Sequence, residues 1–223
     1  MSLNSWLHLR KNTYTKLLII LVCIFIVRSL IESWLGQLLL SLCFLGSSIA
    51  ILETFDLPGK ALCFFRVIAV IACAFTMIEL TEFYWLDIYV SIIGYLAYAI
   101  FMILAIFIIQ RRISIAKKVN NDIIRGGICI YLILGILWHI FYLIIWDLDA
   151  AAFKGLEPSI ASQKLFYFSF TTLTTLGYGD ITPVNGLAMT LTNLEAIVGQ
   201  LYPAITIAKL VSLYISSDLN DTL

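Results

Sequence analysis

Six long apolar runs constrain this chain more than any other feature: roughly Leu17–Ser33, Leu35–Leu52, Ala61–Leu80, Tyr84–Gln110, Ile128–Trp146 and Leu187–Ser216. Crossing about 30 Å of hydrocarbon takes about 20 apolar residues of helix. The runs match that length, except that the first is short. Only the stretch from Glu32 to Gly36 is left to turn the chain between the first two. The last run is long enough to overshoot the bilayer, which predicts a tilt or a helix that continues into the cytoplasm. Composition agrees, with 61% hydrophobic and 13% charged residues, where a soluble domain has about 45–50% and about 25%. Mean hydropathy is +1.00. Disorder, a collagen-like chain and a disulfide-stapled secreted module are excluded. The 14 Lys and Arg balance the 14 Asp and Glu, so no net field exists to attract nucleic acid. The expected fold class is an all-α membrane protein with six transmembrane helices.

Basic residues set the orientation. Arg10, Lys11 and Lys16 precede the first run, Lys60 and Arg66 flank the turn into the third, and Arg111, Arg112, Lys117, Lys118 and Arg125 fill the fourth connection. Glu32, Glu82, Asp87, Asp147, Asp149, Glu157 and Asp180 fall on the opposite face. Every loop fits one topology with both termini in the cytoplasm. The first run has Arg28 and Glu32 where a cleavage site would stand, so it reads as a retained span. Cys23, Cys43, Cys63, Cys73 and Cys129 lie in or at the edge of apolar runs without CxxC or CxxH spacing. They read as buried free thiols.

A seventh segment, about Ser159–Thr175, is helix-like but too short and polar to span. It predicts a re-entrant helix, with protein or water around its ends. Its end overlaps the run Thr171-Thr-Leu-Thr-Thr-Leu-Gly-Tyr-Gly-Asp180. A helix ending near Thr174 points its partially negative carbonyls towards the membrane interior. The residues Thr175 to Gly179 carry glycine at alternate places, and glycine readily takes positive φ. Such a strand can turn successive carbonyls to one side. Four copies around an axis would stack carbonyl rings able to replace the water shell of a bare cation, with the Thr175 hydroxyl adding a ring at the inner end.

This run resembles the potassium-channel signature T-x-x-T-x-G-Y-G-D, carried here by Thr171, Thr174 or Thr175, Gly177, Tyr178, Gly179 and Asp180. The filter core reads Thr175, Leu176, Gly177, Tyr178 and Gly179. Leu176 stands where most of the family has Val, a conservative departure because the backbone does the coordinating. The resemblance covers roughly Ile128–Leu213. It implies a homotetrameric pore binding K+ at Thr175, Leu176, Gly177 and Tyr178, an outer helix at Ile128–Trp146 and an inner helix at Leu187–Ser216. It also implies that Tyr167 on the pore helix bonds to Asp180 and that Phe168 packs behind Tyr178. Thr171 and Thr174 are the further supports of the filter.

The inner helix carries a second resemblance. Family members often have a hinge glycine about twenty residues after the filter tyrosine, and Gly199 lies there. Interior glycine weakens a helix, and Pro203 removes a backbone bond one turn later. Close helix packing is the other reading of Gly199. By helical spacing, Gln200, Pro203 or Ala204, and Ile207 are the residues to face a cavity. Glu195 lies within an apolar span and needs a partner. It reads equally as a cation site on the pore side or an anchor behind the filter.

Residues 1–110 read as a four-helix bundle, 111–127 as a basic cytoplasmic linker and 128–217 as the pore domain. Together they make the six-span layout of the voltage-gated superfamily. A voltage sensor needs several basic residues in its fourth span, each contributing about 2.3 kcal/mol per 100 mV. Tyr84–Gln110 has none, so steep voltage dependence is not expected. Arg28 with Glu79, and Arg66 with Glu53, read as structural pairs or as side chains snorkelling to headgroups. The linker Arg111–Arg125 reads as an amphipathic helix on anionic lipid. Little chain lies outside the spans, so no soluble ligand-sensing or assembly domain is expected.

The function expected is a potassium-selective channel, with a weakly selective monovalent cation channel as the alternative. No enzymatic activity is expected: His8 and His139 are the only histidines, and no HExxH or Ser–His constellation is present. No organic cofactor, nucleic acid or soluble partner is expected. The expected location is the plasma (inner) membrane.

Overall fold

The structure is a computed structural model that describes residues 13–28, 46, 67, 70, 88–116 and 118–221. The runs Leu35–Leu52 and Ala61–Leu80 lie almost wholly outside the described residues. So do the pairings expected of Arg28 with Glu79 and Arg66 with Glu53.

Five α-helices carry the described fold: α1 (Thr13–Arg28), α2 (Ile88–Ile115), α3 (Asn121–Leu148), α4 (Ala161–Leu173) and α5 (Gly186–Asp221). Among the described residues, stretches within α2, α3 and α5 are long and apolar enough to cross a membrane, while α1 holds a shorter apolar helix. The segment expected to re-enter is α4, preceded by a 3-10 turn at Pro158–Ile160.

Several boundaries move from their expected places. α1 starts before Leu17, and α2 runs past Gln110 through Arg111 and Arg112. The stretch Arg111–Arg125 is not a separate amphipathic helix. Its first residues end α2, and its last begin α3, with a short connection between. Asn120 caps α3, its side chain accepting from the Ile123 N–H at 2.8 Å. Such a cap contributes about 1 kcal/mol.

α3 is the hub, packing against α1, α2, α4 and α5. Lipid tails are as apolar as leucine, so helix association in a membrane depends on close van der Waals fit and on small residues. The glycines of α3 supply that fit. Gly126 faces the Tyr14 ring of α1, Gly127 faces Thr206 and Tyr202 of α5, and Gly135 receives the Phe170 ring of α4. At the N-terminal end of α1, the Tyr14 N–H donates to Asp122 Oδ1 (3.2 Å) and Arg125 donates to Thr15 (2.7 Å).

Two short strands add a feature outside the all-α expectation. β1 (Phe153–Lys154) pairs antiparallel with β2 (Thr182–Pro183), placing Phe153 opposite Pro183 and Lys154 opposite Thr182. The pair ties the connection after α3 to the segment after Asp180. Gly155 sits at φ 90° against the Asp180 carbonyl, an approach that leaves no room for a side chain. Asn185 then starts α5, accepting from the Ala188 N–H at 2.8 Å and donating to Asp149 at 2.9 Å.

Candidate functional site: the pore helix and the glycine-rich strand

The site begins where α4 ends. The Thr174 N–H donates to the Phe170 carbonyl (3.1 Å) and the Thr175 N–H to the Thr172 carbonyl (2.8 Å). The Thr171 carbonyl then accepts two amides from beyond the helix, Leu176 at 2.8 Å and Gly177 at 3.1 Å. These bonds anchor the strand to the helix end. The Thr171 hydroxyl donates to the Phe168 carbonyl (3.0 Å), and the Thr174 hydroxyl to the Phe170 carbonyl (2.7 Å).

The extended segment Thr175–Gly179 alternates in backbone hand. Thr175, Gly177 and Gly179 lie at φ 57°, 50° and 81°, every second residue in the left-handed region. Glycine takes that region freely, but a β-branched threonine there is strained by about 1–3 kcal/mol, and such strain clusters at functional sites. Nothing lies within contact distance of where a side chain would start at Gly177 or Gly179. Residues 174–180 are all exposed in the single chain, with Leu176 57% and Tyr178 68% exposed.

Tyr167 braces the outer end. Its hydroxyl donates to Asp180 Oδ1 at 3.3 Å, and its ring stacks on Tyr178 at 6.1 Å between centroids. Phe168, expected behind Tyr178, packs within its own chain in a buried aromatic cluster with Tyr142 (5.1 Å) and Phe153 (5.6 Å).

Glu195 lies behind the pore helix and is fully buried. It accepts from the Tyr142 hydroxyl of α3 and bonds to the Ser169 hydroxyl of α4 at 2.6 Å. Of its two readings, the structure places it as the anchor. Tyr142 and Ser169 escaped the sequence reading; the only signal pointing to them was that a buried carboxyl needs partners.

α5 is helical without a break through Gly199 and Pro203. Gly199 is buried against the backbone carbonyl of Leu173, which also accepts the Tyr131 hydroxyl at 3.3 Å. Gln200 and Ile207 are exposed and Pro203 is partly exposed.

The short helix α4 thus lies between two helices long and apolar enough to cross a membrane, and is followed by an extended segment of alternating backbone hand. Residues 127–216 match the family model Ion_trans_2, described as "Ion channel". That match is a likeness of this segment to ion channels of the pore-loop family. No match was found among curated proteins or among solved structures.

Proposed function

We propose that the protein is a potassium-selective channel in which four copies of the chain surround one pore. K+ is the cargo, and it passes down its gradient through rings of carbonyl oxygen from Thr175, Leu176, Gly177 and Tyr178, with Gly179 at the outer end. The observation that carries this reading is the alternation of left-handed backbone at Thr175, Gly177 and Gly179, directly after the re-entrant helix. Carbonyl rings can replace the hydration shell of a cation, and a helix C-terminus favours positive charge.

Two observations favour a tetramer. The filter strand is exposed throughout in one chain. Of the most apolar window in α3, 61% is buried, against 6% for α5. An apolar inner helix and a filter left bare by their own chain fit a closed ring of identical copies, each bringing one pore loop.

The runs Leu35–Leu52 and Ala61–Leu80 complete a six-span chain in the plasma membrane with both termini in the cytoplasm. Gly199, Gln200, Pro203 and Ile207 form the gate and cavity region of α5. The basic stretch Arg111–Arg125 meets anionic lipid. Transport is passive, and no bond is made or broken.

Flux through the purified protein in liposomes tests the proposal, under a potassium gradient and then the same gradient of sodium. Selective potassium flux that is lost on Gly177→Ala supports it. Equal flux of both ions favours the weakly selective channel and points to Leu176. No flux in either salt, together with no potassium binding, contradicts both.

A further inference from the structure

Glu195 has no place in the conduction path just proposed, yet it is fully buried within α5. A carboxyl within an apolar span is retained only where something makes use of it. Its oxygens join three helices. Oε2 receives the Tyr142 hydroxyl of α3. Oε1 lies 2.6 Å from the Ser169 hydroxyl of α4, which in turn lies 2.8 Å from the Gly135 carbonyl of α3.

The next turn repeats the contact in another form. Gly199 stands four residues after Glu195, and Leu173 four after Ser169, so each pair shares one helix face. There the backbone of α5 touches the Leu173 carbonyl with no side chain between. α4 and α5 are thus gripped twice in register, by a polar clasp and by a bare-backbone contact. Leu173 is the last residue of α4, so any slide of α4 along its axis moves Thr174 and the strand beyond it.

We infer that Glu195 is a positioning residue for the filter, clasping the pore helix through Ser169 and Tyr142 and setting the depth at which the filter begins. The inference rests on Thr175–Gly179 being the ion-conducting strand. The clasp also links the inner helix to the filter directly, so a displacement of α5 at Glu195 reaches Thr171, whose carbonyl holds the Leu176 and Gly177 amides.

The test uses the full chain in liposomes and reads the permeability series over Na+, K+, Rb+ and Cs+ from bi-ionic reversal potentials, with assembly checked by size. Glu195→Gln keeps the clasp: its amide oxygen accepts from Tyr142 and its NH2 donates to Ser169, which passes its own proton to Gly135. It is expected to keep the parent series. Glu195→Leu removes the clasp at similar volume and is expected to shift the potassium-to-sodium ratio by about tenfold in assembled protein. A Leu variant that assembles and keeps the parent ratio overturns the inference. Where the Leu variant does not assemble, Tyr142→Phe and Ser169→Ala decide, since each removes one hydroxyl without adding bulk. An unchanged ratio in both overturns it as well.

Amide hydrogen exchange on the same proteins reads position without flux. Faster exchange at Leu176 and Gly177 in the clasp variants supports the inference, and unchanged exchange contradicts it. A parent that fails to prefer potassium sinks the proposed function. The positioning role is judged separately, by the difference between parent and variant.

Discussion

Gly199 of the inner helix lies against the backbone carbonyl of Leu173, the last residue of the pore helix. A Cβ at this position has nowhere to go, because its neighbour is backbone rather than a flexible side chain. Gly199→Ala is therefore expected to destabilise the assembled protein by about 1–3 kcal/mol through overpacking, seen as a lower unfolding temperature. A glycine that served only as a hinge predicts the opposite: alanine would stabilise the helix by about 1 kcal/mol and change only opening.

Tyr167 and Asp180 are joined by one hydrogen bond beside the proposed filter. Tyr167→Phe keeps the ring that stacks on Tyr178 and removes only that bond, whose loss costs about 0.5–1.5 kcal/mol. A ligand that binds only folded protein raises its stability. Potassium is therefore expected to raise the unfolding temperature less in Tyr167→Phe than in the parent. An identical potassium dependence would show that the bond does not support the filter.

Gly135 leaves room for the Phe170 ring between α3 and α4. Gly135→Ala is expected to displace that ring and cost about 1–3 kcal/mol. A compensating Phe170→Leu in the same chain should recover part of the loss. Thermal unfolding of the single and double variants measures the coupling, and strict additivity would contradict the contact.

Arg111, Arg112, Lys118 and Arg125 gather where α2 ends and α3 begins. Each basic residue near an anionic surface contributes about 1 kcal/mol of attraction. Flux is expected to rise when neutral liposomes are replaced by anionic ones, and replacing Arg111 and Lys118 by Gln should weaken that response. Equal flux in both lipids would remove lipid from the account.

The features legible in the sequence are local or periodic. Apolar runs announced α2, α3 and α5, and alternate glycines announced the hand of the filter at Gly177 and Gly179. Thr175 joins that alternation against its own preference, because a β-branched residue rarely takes positive φ. The helix-anchored geometry around it imposes what its residue type does not suggest. Helix ends were less legible: long basic stems can lie along apolar surface, so α2 carries Arg111 and Arg112 beyond the apolar run. That Tyr167 reaches Asp180 while Phe168 turns to Tyr142 and Phe153 follows from the rotation of α4. Ser169 at Glu195 and Phe170 at Gly135 fix that rotation, and those contacts are tertiary. The partners of Glu195 were hidden for the same reason.

The most direct test of the central claim is the bi-ionic reversal potential of the purified protein in a planar bilayer, with potassium on one side and sodium on the other. A carbonyl-lined filter at Thr175–Gly179 predicts a reversal near the potassium equilibrium potential, abolished by Gly177→Ala, where a side chain would have to adopt left-handed backbone. A reversal near zero, unmoved by that substitution, would contradict the filter.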